Sequence, residues 1–215
     1  MPRIELLDEL VRALPSARAR RLVVGIDGRD GVGKTRLADE LVLPLQARGE
    51  VVWRASLDGF HHLRVQRYQL GADSGEGYWR HAFDVEAIRR ELLDPWRSGT
   101  GQWRTAIHDV RTDAPLHLPA RPVPAAGVLL VDGVFLARPE LVEQWDVLVL
   151  LEAPLEVSQR RGANRDGSPA AQKYADAHAL YRAACDPVRR ADVVVDATSL
   201  HDPAIVSPPY LTEDP

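Results

Sequence analysis

The apolar run Leu22-Val23-Val24-Gly25-Ile26 leads almost at once into Gly28-Arg29-Asp30-Gly31-Val32-Gly33-Lys34-Thr35, which has the spacing G-x-x-x-x-G-K-[ST]. Glycines so placed let successive amide N–H groups turn inward and form an anion-binding hollow. A helix opening at Lys34 adds the positive end of its dipole. Lys34 is then placed to reach the β- and γ-phosphates of a bound nucleotide, and the Thr35 hydroxyl to hold Mg²⁺. A glycine-rich turn that merely caps a helix is the plainer reading. At this composition, however, an accidental match has a chance of roughly 6 in 10,000, before the strand and helix that flank it are counted. Residues 28–35 are therefore expected to bind a nucleoside triphosphate.

The rest of the chain reads as the sheet such a loop needs. Ile4, Leu7, Leu10, Val11 and Leu14 recur at helical spacing, so a first helix is expected over 4–14. A helix over 34–48 and a strand over 51–55 complete a strand–helix–strand unit. Val85, Ile88, Leu92 and Trp96 make another helical face, with Asp84 as its N-cap. Strands are expected at 128–131, 147–151 and 192–195, and helices from Leu155 and from Pro169. Residues 103–112 suggest a short β-ribbon, and the proline-rich 115–124 a connection. This alternation predicts an α/β three-layer sandwich with a five-stranded parallel core sheet, open to ligand at the carboxyl ends of its strands.

One domain over residues 1–215 is expected, with an acceptor-binding insertion at about 61–125, a lid at about 160–178 and an extended tail over 201–215. The 31 acidic residues outnumber the 27 basic ones, which gives no reason to expect a nucleic-acid partner. No apolar stretch approaches the roughly 18–20 residues of a membrane span. A single cysteine, Cys185, excludes an intrachain disulfide framework, and a cytoplasmic protein is expected. Self-association is left open. Of the basic residues only Lys34 and Lys173 are lysines, and a lysine among so many arginines marks a position that calls for a compact, flexible ammonium.

Two acids stand where strands end. Leu129-Leu130-Val131-Asp132-Gly133 would bring the Asp132 carboxylate to the metal beside Thr35. Asp58, directly after the second strand, would face the same crevice and accept the proton of an attacking hydroxyl. Each of them also has a plainer reading as a turn or cap aspartate. His61, His62 and His81 lack metal-ligand spacing and read as pocket or packing residues. Arg161 and Arg165, four apart on one helix face, are placed either to close over phosphates or to sit in solvent.

Taken in order, Ile26 to Thr35, Asp58-Gly59-Phe60-His61, the strand ending at Asp132-Gly133, Arg161-x-x-x-Arg165-Asp166 and Ala191-Asp192-Val193-Val194-Val195 resemble the uridine kinases. The wider group with phosphoribulokinase and the P-loop pantothenate kinases looks similar. The resemblance spans about residues 20–200. It implies a P-loop kinase using ATP and Mg²⁺, with a small hydroxylic molecule such as a nucleoside as acceptor. It implies Asp58 as catalytic base, Lys34, Arg161 and Arg165 as charge-stabilising groups, and Thr35 and Asp132 at the metal. The acceptor side departs from uridine kinases, since Tyr78-Trp79-Arg80-His81-Ala82-Phe83-Asp84 stands where they carry Phe-Asp-His-Pro, and His108-Asp109 and Asp113 where they carry tyrosine and histidine. Phe60, His62, Tyr78, Trp79, Arg80, His108, Asp109 and Asp113 are the expected acceptor-binding residues. A non-nucleoside alcohol (pantothenate- or sugar-like) and a non-catalytic nucleotide-binding regulatory module remain the alternatives.

Overall fold

The computed structural model describes residues 2–166 and 172–206, with residues 165 and 166 described by backbone alone. The chain opens with helix α1 (Arg3–Ala13), which buries Leu6, Leu7, Leu10 and Val11 on one face. Strand β1 (Arg21–Gly28) follows, then α2 (Lys34–Glu40) and α3 (Val42–Ala47). One helix was expected over 34–48; it is interrupted at Leu41 because Pro44 has no N–H to give Glu40 and its ring crowds that carbonyl.

Strands β2 (Val52–Ser56), β3 (Gly127–Asp132), β4 (Val147–Glu152) and β5 (Val193–Asp196) run parallel to β1, in the order β5-β4-β1-β3-β2. A sixth strand, β6 (Ala204–Val206), pairs antiparallel with β5. The start of the expected tail is thus an edge strand, and residues 207–215 lie outside the described part. Strand β1 sits between β3 and β4, so successive connections leave it in opposite directions, and the crevice at its carboxyl end is where an open α/β sheet takes ligands.

Strands β1, β3 and β4 are buried on both faces, and their alternate residues separate two cores. Leu22, Val24, Ile26, Val128, Leu130 and Val149 pack with Leu6, Leu10, Leu37 and Leu41. Val23, Leu129, Val131 and Leu148 face Phe60, Trp96, Trp103 and Tyr181. Runs that are apolar at every position, as β1 and β3 are, belong to strands covered on both sides.

The insertion between β2 and β3 carries α4 (Gly75–His81), then a helical stretch from Val85 to Ser98 with a π-turn at Ile88–Leu93. Asp84 caps it as expected, accepting from the Ala87 amide at 2.9 Å. In place of one ribbon there are two, Gln102–Trp103 with Arg121–Pro122 and His108–Asp109 with Ala114–Pro115. Helix α5 (Leu155–Asp166) and helix α6 (Gln172–Cys185) lie beyond β4. Among the described residues no helix is long and apolar enough to cross a membrane.

Candidate active site

The loop after β1 is wound tightly over the start of α2. Gly31 and Gly33 have φ of 77° and 109°, a region that favours glycine. The Leu37 amide donates to the Gly33 carbonyl at 3.0 Å, so the helix begins at once. Lys34 bends back across the loop and donates to the Arg29 carbonyl at 2.9 Å. Beneath it Asp27, fully buried, accepts from the Gly28 amide at 2.7 Å and from the Tyr181 hydroxyl. Burial raises the Asp27 carboxyl above the ordinary range, against the opposing pull of these bonds and of the Lys34 charge.

At the end of β3 Asp132 gathers three partners. Thr35 Oγ1 donates to Oδ2 at 2.7 Å, Ser56 Oγ lies 3.4 Å from the same oxygen, and Arg54 Nη2 donates to Oδ1 at 2.9 Å. Two hydroxyls and a carboxylate are hard oxygen donors suited to Mg²⁺, which takes one or two protein carboxylates or hydroxyls and completes its shell with water and phosphate. Arg54 was not anticipated from the sequence, since a single arginine within a strand gives no periodic signal.

Asp58 lies on a 3₁₀ turn, Leu57–Phe60, whose N-cap Ser56 accepts from the Asp58 amide at 3.3 Å. The Ile107 amide donates to the Gly59 carbonyl at 2.8 Å, so the second ribbon braces this turn. Asp58, Arg29 and Asp30 share a cavity of about 220 Å³ whose other walls include His61, Arg67, Tyr68, Tyr78, Ser158, Lys173, Tyr174 and His178. Tyr78 is hydrogen-bonded to Asp30, and burial together with the Asp30 and Asp58 charges holds its phenol well above its usual pKa. His61 is fixed by Nδ1–H donation to the Ala82 carbonyl at 2.9 Å and by stacking on Phe83, which leaves Nε2 3.6 Å from Asp58 Oδ1.

No family model and no curated protein matches the chain. Solved structures do. A possible uridine kinase from Bacillus stearothermophilus is similar at 29% identity and a TM-score of 0.69, over 89% of this chain and 96% of that one. Phosphoribulokinase from Rhodobacter spheroides shares the fold at 13% identity and a TM-score of 0.57, over 82% and 70%. So does D-glycerate 3-kinase from Cryptococcus neoformans, at 12% identity and 0.54, over 94% and 96%. The chain thus has the α/β fold of its P-loop kinase neighbours.

The expected acceptor residues are scattered. Tyr78 lines the cavity with Asp58, whereas Phe60, His62, Trp79, Arg80, His108, Asp109 and Asp113 do not. Phe60 is core, and His62 faces Asp84 at 3.9 Å. Trp79 packs on Phe135 and Tyr181 beneath the Arg138 guanidinium. Arg80 pairs with Glu76 in solvent at 2.9 Å, and Asp109 caps its own turn through the Arg111 amide at 2.9 Å. Asp113 accepts from Arg67 at 3.1 Å and faces buried His108 at 3.3 Å, so it holds a wall residue in place from behind. Arg161 donates to the Ala197 and Thr198 carbonyls, both at 2.8 Å, and so ties α5 to the loop after β5. The Arg165 side chain lies outside the described residues. His61, read from the sequence as a pocket or packing residue, lines the cavity, and the residues missed at its wall are Arg67, Tyr68, Lys173, Tyr174 and His178. Of these only Lys173 carried a signal, as one of two lysines.

Proposed function

We propose that this chain transfers the γ-phosphoryl group of ATP to a hydroxyl of a small molecule, with Asp58 as the base. The observation that carries the reading is that Asp58 shares one cavity with Arg29 and Asp30 of the phosphate loop. A loop that binds phosphate and a carboxylate that receives a proton must meet in this way for in-line transfer. A regulatory module that only bound nucleotide would need the loop alone.

On this reading the loop amides and Lys34 bind the triphosphate, and Lys34 exchanges the Arg29 carbonyl for phosphate oxygens. Thr35 and Asp132 would hold Mg²⁺, which supplies charge neutralisation on the phosphates when bound. Asp58 orients the acceptor hydroxyl and takes its proton as the oxygen attacks the γ-phosphorus. His61, locked by the Ala82 carbonyl, limits where the Asp58 carboxylate can turn. The lid expected over about 160–178 runs through residues 167–171, which lie outside the described part. The 29% likeness to a possible uridine kinase favours a nucleoside-like acceptor, whereas the exclusion of Trp79, Arg80, His108, Asp109 and Asp113 from the cavity favours another alcohol.

The test pairs two variants. Asp58→Asn should lower acceptor phosphorylation by about 10²-fold or more while calorimetry finds ATP affinity little changed. Lys34→Ala should lose ATP affinity as well as turnover. Normal turnover by Asp58→Asn would remove that residue from the mechanism.

A further inference from the structure

Lys34 serves the phosphate loop; the second lysine of the chain, Lys173, lines the cavity from the first turn of α6. Its Nζ donates to the Ala72 carbonyl at 2.7 Å and lies 5.5 Å from the Tyr68 ring centre and 5.4 Å from that of Tyr174. Among the described residues no carboxylate pairs with it. Two aromatic faces and one carbonyl oxygen hold an ammonium in place without cancelling its charge.

Arg67, on the same wall, is about nine-tenths buried and spends one end of its guanidinium on Asp113, while its buried Nε has no partner among the described residues. A fork held at one end presents its remaining donors in a fixed direction. The acids on the wall have other work. Asp58 faces the hydroxyl, and Asp30 is engaged by Tyr78.

We propose that the acceptor carries an oxyanion, carboxylate or phosphate, besides the hydroxyl it offers to Asp58, and that Lys173 and Arg67 bind that oxyanion. The inference rests on the kinase reading above and deepens it. The tyrosines argue against a flat base as the occupant of this end. The rings of Tyr68 and Tyr174 that could stack on a base already carry the ammonium, and Tyr78 meets Tyr174 edge-on at 4.9 Å. An uncharged acceptor would leave Lys173, among the described residues, with only a carbonyl and ring faces, whereas an oxyanion gives it and Arg67 charge-assisted hydrogen bonds. The first turn of the 14-residue α6 adds a favourable field for negative charge.

The experiment offers matched acceptors to the whole protein with ATP and Mg²⁺: D-glycerate against glycerol for the carboxylate, and ribulose 5-phosphate against ribulose for the phosphate, with uridine alongside. At least one charged member should exceed its uncharged partner in kcat/KM by about tenfold or more, equal to about 1.4 kcal/mol; which pair responds identifies the oxyanion. Lys173→Met should raise KM for that acceptor by about tenfold without a matching change in KM for ATP, and Lys173→Arg should restore most of the loss. Preference for the uncharged members or for uridine, or an unmoved KM in Lys173→Met, overturns the proposal. If ATP binds but no compound is phosphorylated, the kinase reading fails separately. Calorimetry of the same compounds in the presence of a non-hydrolysable ATP analogue then decides the present point, and equal heats, or none, in wild type and Lys173→Met overturn it.

Discussion

The Thr35 hydroxyl donates to Asp132 Oδ2 at 2.7 Å, joining the first turn of α2 to the end of β3, while Arg54 holds the other oxygen at 2.9 Å. The Asp132 side chain is only 3% exposed and Arg54 is its one cationic partner among the described residues. Removing the partner of a buried charge leaves the desolvation penalty uncompensated, about 2 kcal/mol here. Arg54→Gln should therefore lower the melting temperature of the nucleotide-free protein by about 4–8 °C. Mg²⁺ with ATP should restore more in the variant than in the parent, because a cation at Asp132 replaces the lost guanidinium. Thermal melts with and without Mg·ATP check this, and equal ligand-induced shifts in the two proteins would refute it.

A second link runs from Tyr181 on α6 to Asp27 on β1, and the same hydroxyl accepts from the Ala137 amide at 2.9 Å. Tyr181→Phe leaves a buried carboxylate oxygen and a buried N–H unpaired, a loss of about 2 kcal/mol. The native Asp27 carboxyl is raised by burial, so the folded state holds its proton more tightly than the unfolded state does. Stability from this group is complete below the unfolded value, about 4, and declines as pH rises through the raised native one. Loss of the Tyr181 bond raises the native value further, so the decline should extend to higher pH in the variant. Urea unfolding at a series of pH values reads this, and pH curves that run parallel would contradict it.

What the sequence disclosed was local. The strand into Gly28, the glycines up to Gly33, and Lys34-Thr35 are contiguous, so their fold and chemistry are legible together. The positions of Asp58 and Asp132 were legible because Asp132 ends an apolar run and Asp58 follows the second strand. The cavity wall was not, because it is assembled by docking: Arg67 arrives from the insertion, Lys173 and His178 from α6. One position separates His61, which lines the cavity, from His62, which faces Asp84, and no pattern in a polar turn settles which neighbour turns inward. The break at Leu41 was available from Pro44, whereas the three-residue β6 was too short to show any period.

Gly31 bears directly on the phosphate loop. A Cβ built there would lie 2.2 Å from the Ser158 carbonyl oxygen and 3.0 Å from the Gly162 amide nitrogen, both backbone atoms of α5, at a φ of 77°. The backbone conformation alone costs an L-residue about 1–2 kcal/mol, and the clash forces α5 away from the loop. Gly31→Ala should lower the melting temperature by about 4 °C or more and weaken ATP binding in the same preparation. A variant that melts with the parent and binds ATP equally would show that the loop and α5 are not in this contact.

His178 lines the cavity from α6, is 4% exposed, and has Nε2 without a partner among the described residues. Burial, followed by the charges of Arg29, Arg182 and Lys34, pushes its pKa down to about 3. It is therefore neutral at pH 7, and the unfolded chain takes up its proton as pH falls below about 6.5 while the folded chain does not. The stability tied to this group is present above that pH and is lost toward the native value, at about 1.4 kcal/mol per pH unit. His178→Gln should flatten the acid limb of a stability–pH curve between pH 6 and 4 by about that slope. A triphosphate that neutralises Lys34 and Arg29 removes two of the named charges, so ATP should raise the imidazole pKa when the ring is followed by NMR. An acid limb unchanged by His178→Gln would show that the imidazole gains its proton in the folded state as readily as in the unfolded chain, and the three cations would then not be acting on it.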